Sequence, residues 1–184
     1  MRNCEQSKGQ NIYEHGLSVW EYMEDLMEHL WNETPLEKEW KIPEWIYKYK
    51  WNILENLLPA HIIEQYCVFH DCGKPFCKVV DENGKPHFPN HAQISHDIWM
   101  DMDGNEQIGK LILMDMAIHT IKDYDIDSFI KNPEAITLIL SGLSEIHSNA
   151  RMFGGIQSDS FKIKWKQIDK RGKAICKKLF GDIP

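Results

Sequence analysis

Residues 60–75 read AHIIEQYCVFHDCGKP. The mostly apolar run from Ile62 to Phe69 predicts a buried helix over 60–71, about three turns long. It ends on a histidine and an aspartate, with Gly73 stopping it and Pro75 two residues on, the usual order at a helix end. Two titratable groups at the end of a buried helix are the feature from which the rest is read. Adjacent side chains diverge by about 100° along a helix and seldom bind one ion together. At a helix end the turn can bend, and imidazole nitrogen and carboxylate oxygen can then converge. Mn, Fe, Mg and Co tolerate such a mixed shell.

Working outward, Ile12, Leu17, Val19, Trp20, Met23, Leu26, Met27, Leu30 and Trp31 recur at three- and four-residue steps, which predicts a helix over 12–31. The chain breaks at Asn32–Pro35, where Thr34 is expected to cap a new helix with Pro35 at its first position. Pro43 marks another start, and 44–58 carries a second aromatic-rich periodic stretch before Pro59. Between Lys78 and Phe88 the pattern changes to a short hairpin around Asn83-Gly84. Helices are expected again over 90–100, 106–120 and 133–150, with a polar loop at 101–105, an interruption near Asp123–Asp127 and a stop at Gly154-Gly155. The fold class is therefore all-α with a small β-hairpin after the His-Asp turn.

Composition agrees with one folded domain. Of 184 residues 42% are hydrophobic, and seven Trp, seven Phe and six Tyr supply large surfaces to bury. The five cysteines are odd in number, and Cys67, Cys72 and Cys77 are five apart, which is neither a zinc knuckle nor a disulfide framework. They are expected to be reduced thiols in a core. The first ten residues lack the apolar stretch of a signal peptide, and no apolar run approaches the roughly 18 residues that span a bilayer. The expected setting is cytoplasmic. The formal charge is −7, yet Phe161–Leu179 holds eight Lys or Arg against Asp169 alone, which leaves the rest near −14. Residues 161–184 are thus expected to be a basic extension packed on the domain formed by 1–160.

His15, His91 and His119 occupy helical contexts like that of His70-Asp71, and Glu145 lies on the 133–150 helix beside His147. Taken singly, each histidine is ordinary; His29, His61 and His87 read as surface residues. In order, the set resembles the HD superfamily. Ile12-Tyr13-Glu14-His15-Gly16-Leu17-Ser18-Val19 looks like its opening histidine helix, and His70-Asp71-Cys72-Gly73-Lys74-Pro75 like its defining turn. Phe88-Pro89-Asn90-His91-Ala92-Gln93-Ile94-Ser95 resembles the Phe-x-x-His-x-x-x-small motif after the hairpin. Ala117-Ile118-His119 resembles the fourth histidine. The resemblance spans roughly residues 12–150. Two features depart from the pattern. Glu145 stands where Asp is usual, with Asp123 and Asp115 as rivals, and 55 residues separate His15 from His70, which implies an insertion at about 33–55.

The resemblance implies a helical bundle holding one or two divalent ions (Mn, Fe, Co, Ni, Mg or Zn). His15, His70, Asp71 and Glu145 would hold the first, and Asp71 would bridge to a second on His91 and His119. It implies hydrolysis of a phosphate monoester or cyclic phosphodiester of a nucleotide or nucleic-acid end. Lys74 is expected to contact phosphate or stabilise the leaving group. His96 is expected to donate a proton, and His147 and Arg151 to bind substrate. The basic stretch Lys162–Lys178 can steer a polyanion. Two other readings share these ligands: a diiron oxygenase cleaving a C–C or C–P bond, and a non-catalytic binding module.

Overall fold

The computed structural model describes residues 1–7 and 9–182, so residues 183 and 184 of the expected basic extension lie outside it. The elements run β1 (Glu5–Ser7), β2 (Gln10–Asn11), α1 (Ile12–Asn32), α2 (Glu44–Lys48), α3 (Lys50–Glu55), α4 (Ala60–Phe69) and α5 (Lys74–Cys77). Then follow β3 (Val79–Val80), β4 (Pro86–His87), α6 (His91–Asp101), α7 (Glu106–Met114), α8 (Ala117–Thr120), α9 (Ile126–Phe129), α10 (Ala135–Ser148) and α11 (Asp159–Phe180). Short 3-10 turns occupy Asp123–Asp125 and Ala150–Phe153. The protein is all-α, with two small antiparallel hairpins among the described residues, β1–β2 and β3–β4. No helix among the described residues is long and apolar enough to cross a membrane.

The chain divides into two compact units. The first comprises Met1–Trp20 and Pro59–Met116; the second comprises Glu21–Leu58 and the chain from Ala117 onward.

In the first unit α4 lies against α7, and α7 against α6. Their buried faces carry Ile62, Ile63, Tyr66 and Cys67 on α4, Ile108, Leu111 and Ile112 on α7, and Trp99 on α6. Two glycines set the close approaches. A Cβ on Gly16 would stand 2.3 Å from the Val68 carbonyl oxygen, so the start of α1 rests directly on the backbone of α4. A Cβ on Gly73 would stand 2.4 Å from the Ser95 nitrogen, which presses the turn after α4 onto α6. Gly73 has φ −83°, so it does not end the helix by adopting the left-handed conformation. Helix α4 stops at Phe69, and His70 keeps right-handed helical angles as its C-cap. The expected hairpin is present, with Gly84 at φ 76° and its N–H donating to the Asp81 carbonyl.

In the second unit α11 lies against α10, α8 and α2. Leu138, Ile139, Leu140, Leu143 and Ile146 of α10 are buried, as are Phe161, Ile168, Ile175 and Cys176 of α11. Three sequence expectations need correction here. Thr34 caps no helix: its carbonyl accepts from His29 Nδ1 at 2.6 Å, and the chain stays irregular until Pro43. That strap is held by Asp25, which accepts from the Glu37 and Lys38 N–H groups and the Trp40 indole at 2.9, 3.1 and 2.8 Å. The 44–58 helix is two helices, broken at Tyr49, whose hydroxyl donates to the Gly181 carbonyl at 3.0 Å. The 106–120 helix is likewise broken, at Asp115–Met116.

Candidate metal centre

Asp71 is the hub of a polar cluster inside the first unit. Its side chain is 1% exposed, and three imidazoles turn Nε2 toward its carboxylate. His70 lies 3.2 Å from Oδ2, His15 3.7 Å from Oδ2, and His91 3.7 Å from Oδ1. The Lys74 ammonium reaches Oδ2 at 2.5 Å. His15 and His70 meet edge to face, with ring centroids 5.3 Å apart.

Local structure accounts for each position. Asn11 and Glu14 form a reciprocal cap at the start of α1: the Glu14 N–H donates to Asn11 Oδ1, and the Asn11 N–H to Glu14 Oε2, both at 2.9 Å. His15 follows on the next residue, beside the Gly16 contact with α4. His70 ends α4 and Asp71 follows in the turn. Ser95 binds that turn twice, its hydroxyl accepting from the Gly73 N–H at 2.9 Å and its carbonyl from the Cys72 thiol at 3.4 Å. His91 is the first residue of α6, after Asn90 in the left-handed conformation. The small residue four positions after His91 thus has a physical cause: it takes the backbone of the His-Asp turn.

The tautomers carry the chemistry. A backbone carbonyl only accepts, so His70 Nδ1 must donate to the Cys67 carbonyl at 2.8 Å, and His91 Nδ1 to the Phe88 carbonyl at 3.0 Å. In the neutral rings Nε2 is then a lone pair, and both lone pairs face carboxylate oxygens. Acceptor facing acceptor is repulsive unless positive charge stands between or on them, as a proton or a cation. Fixing Nδ1–H on a carbonyl is also how metal-binding histidines are commonly oriented. Burial alone would push the Asp71 carboxyl up; the His70 ring, the Lys74 ammonium and the His15 ring outweigh it and hold Asp71 well below the usual carboxylate range. Burial pushes the Cys72 thiol up to about 11, and it packs as a neutral donor to the Ser95 carbonyl.

The other expected site residues are distributed as follows. His119 and Glu145 come together in the second unit, Nε2 to Oε2 at 2.8 Å, each about one-fifth exposed. A Cβ at Gly142 would lie 2.7 Å from Ile118 Cγ2, so the glycine makes room for the residue beside His119, whose ring it would meet only in ordinary contact at 3.6 Å. Of Glu145's rivals, Asp115 is buried in the first unit and accepts from the Tyr66 hydroxyl at 2.7 Å, and Asp123 is exposed and paired with Lys170 at 2.8 Å. His96 sits five residues after His91, about 140° round α6, and its Nδ1 bonds Asp97 at 3.0 Å. His147 is 1% exposed: Nδ1 donates to the Leu143 carbonyl and Nε2 accepts from the Lys41 N–H, among Trp40 and Phe161. One nitrogen is taken by its own helix and the other by the strap, which makes it a packing residue and not an open substrate group. Arg151 is exposed on the 3-10 turn after α10. Lys74 is only 7% exposed and belongs to the cluster. Gln6, which accepts from Lys74 at 3.0 Å, had no place in the sequence reading. The signal for it lies in the Asn11/Glu14 cap, which fixes where the strand pair meets α1.

Comparison with protein-family models, with curated proteins and with solved structures finds no match to this chain in any of the three.

Proposed function

We propose that this protein is a metal-dependent phosphohydrolase of the HD type, acting in the cytoplasm on a phosphate monoester or cyclic phosphodiester of a nucleotide or nucleic-acid end. The observation that supports it is the apposition at Asp71: imidazoles locked as Nδ1 donors aim their lone pairs at a buried carboxylate. That donor set, nitrogens with a hard oxygen, fits Fe, Co, Ni or Zn through its imidazoles and Mn or Mg through its carboxylate. His15, His70, Asp71 and His91 would be ligands from the first unit. His119 and Glu145 are carried into the ligand set by their order in the sequence. When bound, a divalent ion supplies the Lewis acidity that phosphoester hydrolysis needs.

The chain's own residues do the remainder. Asp71, held ionised, keeps negative charge where cations gather. Lys74 brings an ammonium to the same carboxylate, and a buried cation of this kind pairs with a phosphoryl oxygen and stabilises charge that develops on it. The carbonyl partners of His70 and His91 keep those rings from turning. The substrate class leans to nucleotides. On α11, Lys170, Lys177 and Lys178 are already paired with Asp123, Asp182 and Asp127. Lys162, Lys166 and Lys173 share one face of that helix and supply the remaining attraction for a polyanion. Five cysteines, four of them buried, suit a reducing compartment.

The test is metal analysis of aerobically and anaerobically purified protein. It is followed by a panel of phosphomonoesters, cyclic phosphodiesters and nucleoside triphosphates with Mn, Co, Ni or Mg. Phosphate release that vanishes in His70→Ala and Asp71→Ala is the expected result. Silence across the panel with metal bound defeats the proposal, and iron-dependent oxygen consumption would replace it with the oxygenase.

A further inference from the structure

Lys74 is a long, flexible cation, yet in the first unit it is almost fully enclosed. Its ammonium has three hydrogens and three directions of contact: Asp71 Oδ2 at 2.5 Å, Gln6 Oε1 at 3.0 Å, and the Phe88 ring, whose centroid is 5.3 Å away. Lysine only donates, so the face Gln6 turns to it must be the carbonyl oxygen, and the amide NH2 points elsewhere.

The way Gln6 reaches that place is built into the N-terminal hairpin. Glu5 pairs with Asn11 and Ser7 with Gln10, so the register slips by one residue between Glu5 and Ser7, and Gln6 is the extra residue. Such bulges re-aim a side chain that regular pairing would send elsewhere. The hairpin is tied down by the Ile12 N–H, which donates to the Cys4 carbonyl at 3.0 Å, and by the reciprocal Asn11/Glu14 cap. One anchored segment therefore delivers both Gln6 and His15.

Resting on the phosphohydrolase reading, we propose that Gln6 is a positioning residue, holding the Lys74 ammonium in place as the cation that contacts the substrate phosphate. The chemistry favours glutamine in this role. Asp71 attracts the ammonium strongly at 2.5 Å, and a second acceptor on another side, Gln6 at 3.0 Å, fixes the direction in which it points. A neutral amide does so without cancelling the lysine charge, whereas a carboxylate there would spend that charge and repel phosphate. The substitution Gln6→Ala removes the hold, and Gln6→Glu keeps the hold but adds the repulsion.

The experiment uses the full chain with Mg, labelled with nitrogen-15. The Lys74 ammonium correlation is recorded by NMR, and inorganic phosphate binding is measured by calorimetry. The variants are Gln6→Ala, Gln6→Glu, Lys74→Met and the Gln6→Ala/Lys74→Met double, with thermal melts confirming that each is folded. The ammonium signal should be visible in the natural protein and in Gln6→Glu, and lost in Gln6→Ala. Phosphate affinity should fall roughly tenfold in Gln6→Ala, the worth of a hydrogen bond to a charged group, and further in Gln6→Glu. In the Lys74→Met background Gln6→Ala should change nothing more. A signal absent from the natural protein or unchanged in Gln6→Ala overturns the assignment, as does an equal loss of affinity in the Lys74→Met background. Natural protein that binds no phosphate, while its Lys74 signal still depends on Gln6, overturns the phosphohydrolase reading instead.

Discussion

Replacing Gly73 tests how the His-Asp turn is held. A Cβ added there would lie 2.4 Å from the Ser95 nitrogen, 2.7 Å from the Ile94 carbonyl carbon and 2.9 Å from the Ser95 Cα. All three are backbone atoms, so no side chain can swing aside. Ordinary contact begins near 3.4 Å, so the first turns of α6 must retreat by about 1 Å. Overpacking of this kind costs about 1–3 kcal/mol, and weakening the Gly73–Ser95 hydrogen bond adds about 1 kcal/mol. At about 2–4 °C per kcal/mol for a chain of this size, Gly73→Ala should melt roughly 5–15 °C lower. His91 opens the same helix four residues before Ser95, so the retreat also withdraws its Nε2 from Asp71. A misplacement of about 1 Å can cost roughly a hundredfold in a positioned site, so metal affinity should fall by more than the loss of stability alone suggests. The assays are a thermal melt and a chelator competition with the chosen ion. Gly73→Asn sharpens the result. A glycine that merely stopped α4 in the left-handed conformation would be replaced by Asn at little cost, but at φ −83° against a backbone wall Asn must do as badly as Ala. A tolerated Asn, or an Ala variant melting within about 2 °C of the natural protein, refutes the steric account.

His147 sets a pH limit on stability. Burial lowers its pKa from the ordinary value of 6.5 to about 4, so between those values the unfolded chain binds a proton that the folded chain refuses. Stability is lost as pH falls from 6.5, by about 2 kcal/mol at pH 5 and about 3 kcal/mol once pH 4 is passed. Urea unfolding at pH 7 and pH 5 should show that loss, and a His147→Gln variant that keeps the same pH slope would exclude this residue as its source. Asn11→Ala removes one half of the cap at the start of α1 and should cost about 1 kcal/mol. Because the capped turn carries His15 and anchors the hairpin of Gln6, metal affinity should fall with it. An unchanged denaturation midpoint together with unchanged metal binding would contradict that link.

What the sequence revealed and what it withheld divide along one physical line. Periodic apolar residues record which face of a helix is buried, so α1, α4, α6 and α10 were legible, as was the turn at Asn83-Gly84, where φ above zero demands glycine. The breaks at Tyr49 and Asp115 were not, because continuous hydrophobicity on both sides conceals a change of direction. The strap after α1 looked like a helix start because Thr34-Pro35 has the local chemistry of one; a single distant carboxylate, Asp25, takes its N–H groups and overrides that preference. Order along the chain brought out His15, His70, Asp71 and His91 as a set, and in the first unit they do meet around one carboxylate. The reason for the glycine was misread, though its position was right. A glycine after His-Asp reads equally as a helix stop and as a place where two backbones touch, and only the angle at Gly73 and the atoms of Ser95 tell them apart. Beyond the Asn11/Glu14 cap Gln6 is hard to read, because one half of its partnership is a bulge in a three-residue strand and the other is a lysine 68 residues away. Local pattern therefore finds candidate ligands, whose chemistry demands particular residue types. It misses the residues that aim them, because an amide, a hydroxyl or a missing Cβ can serve that purpose from anywhere in the chain.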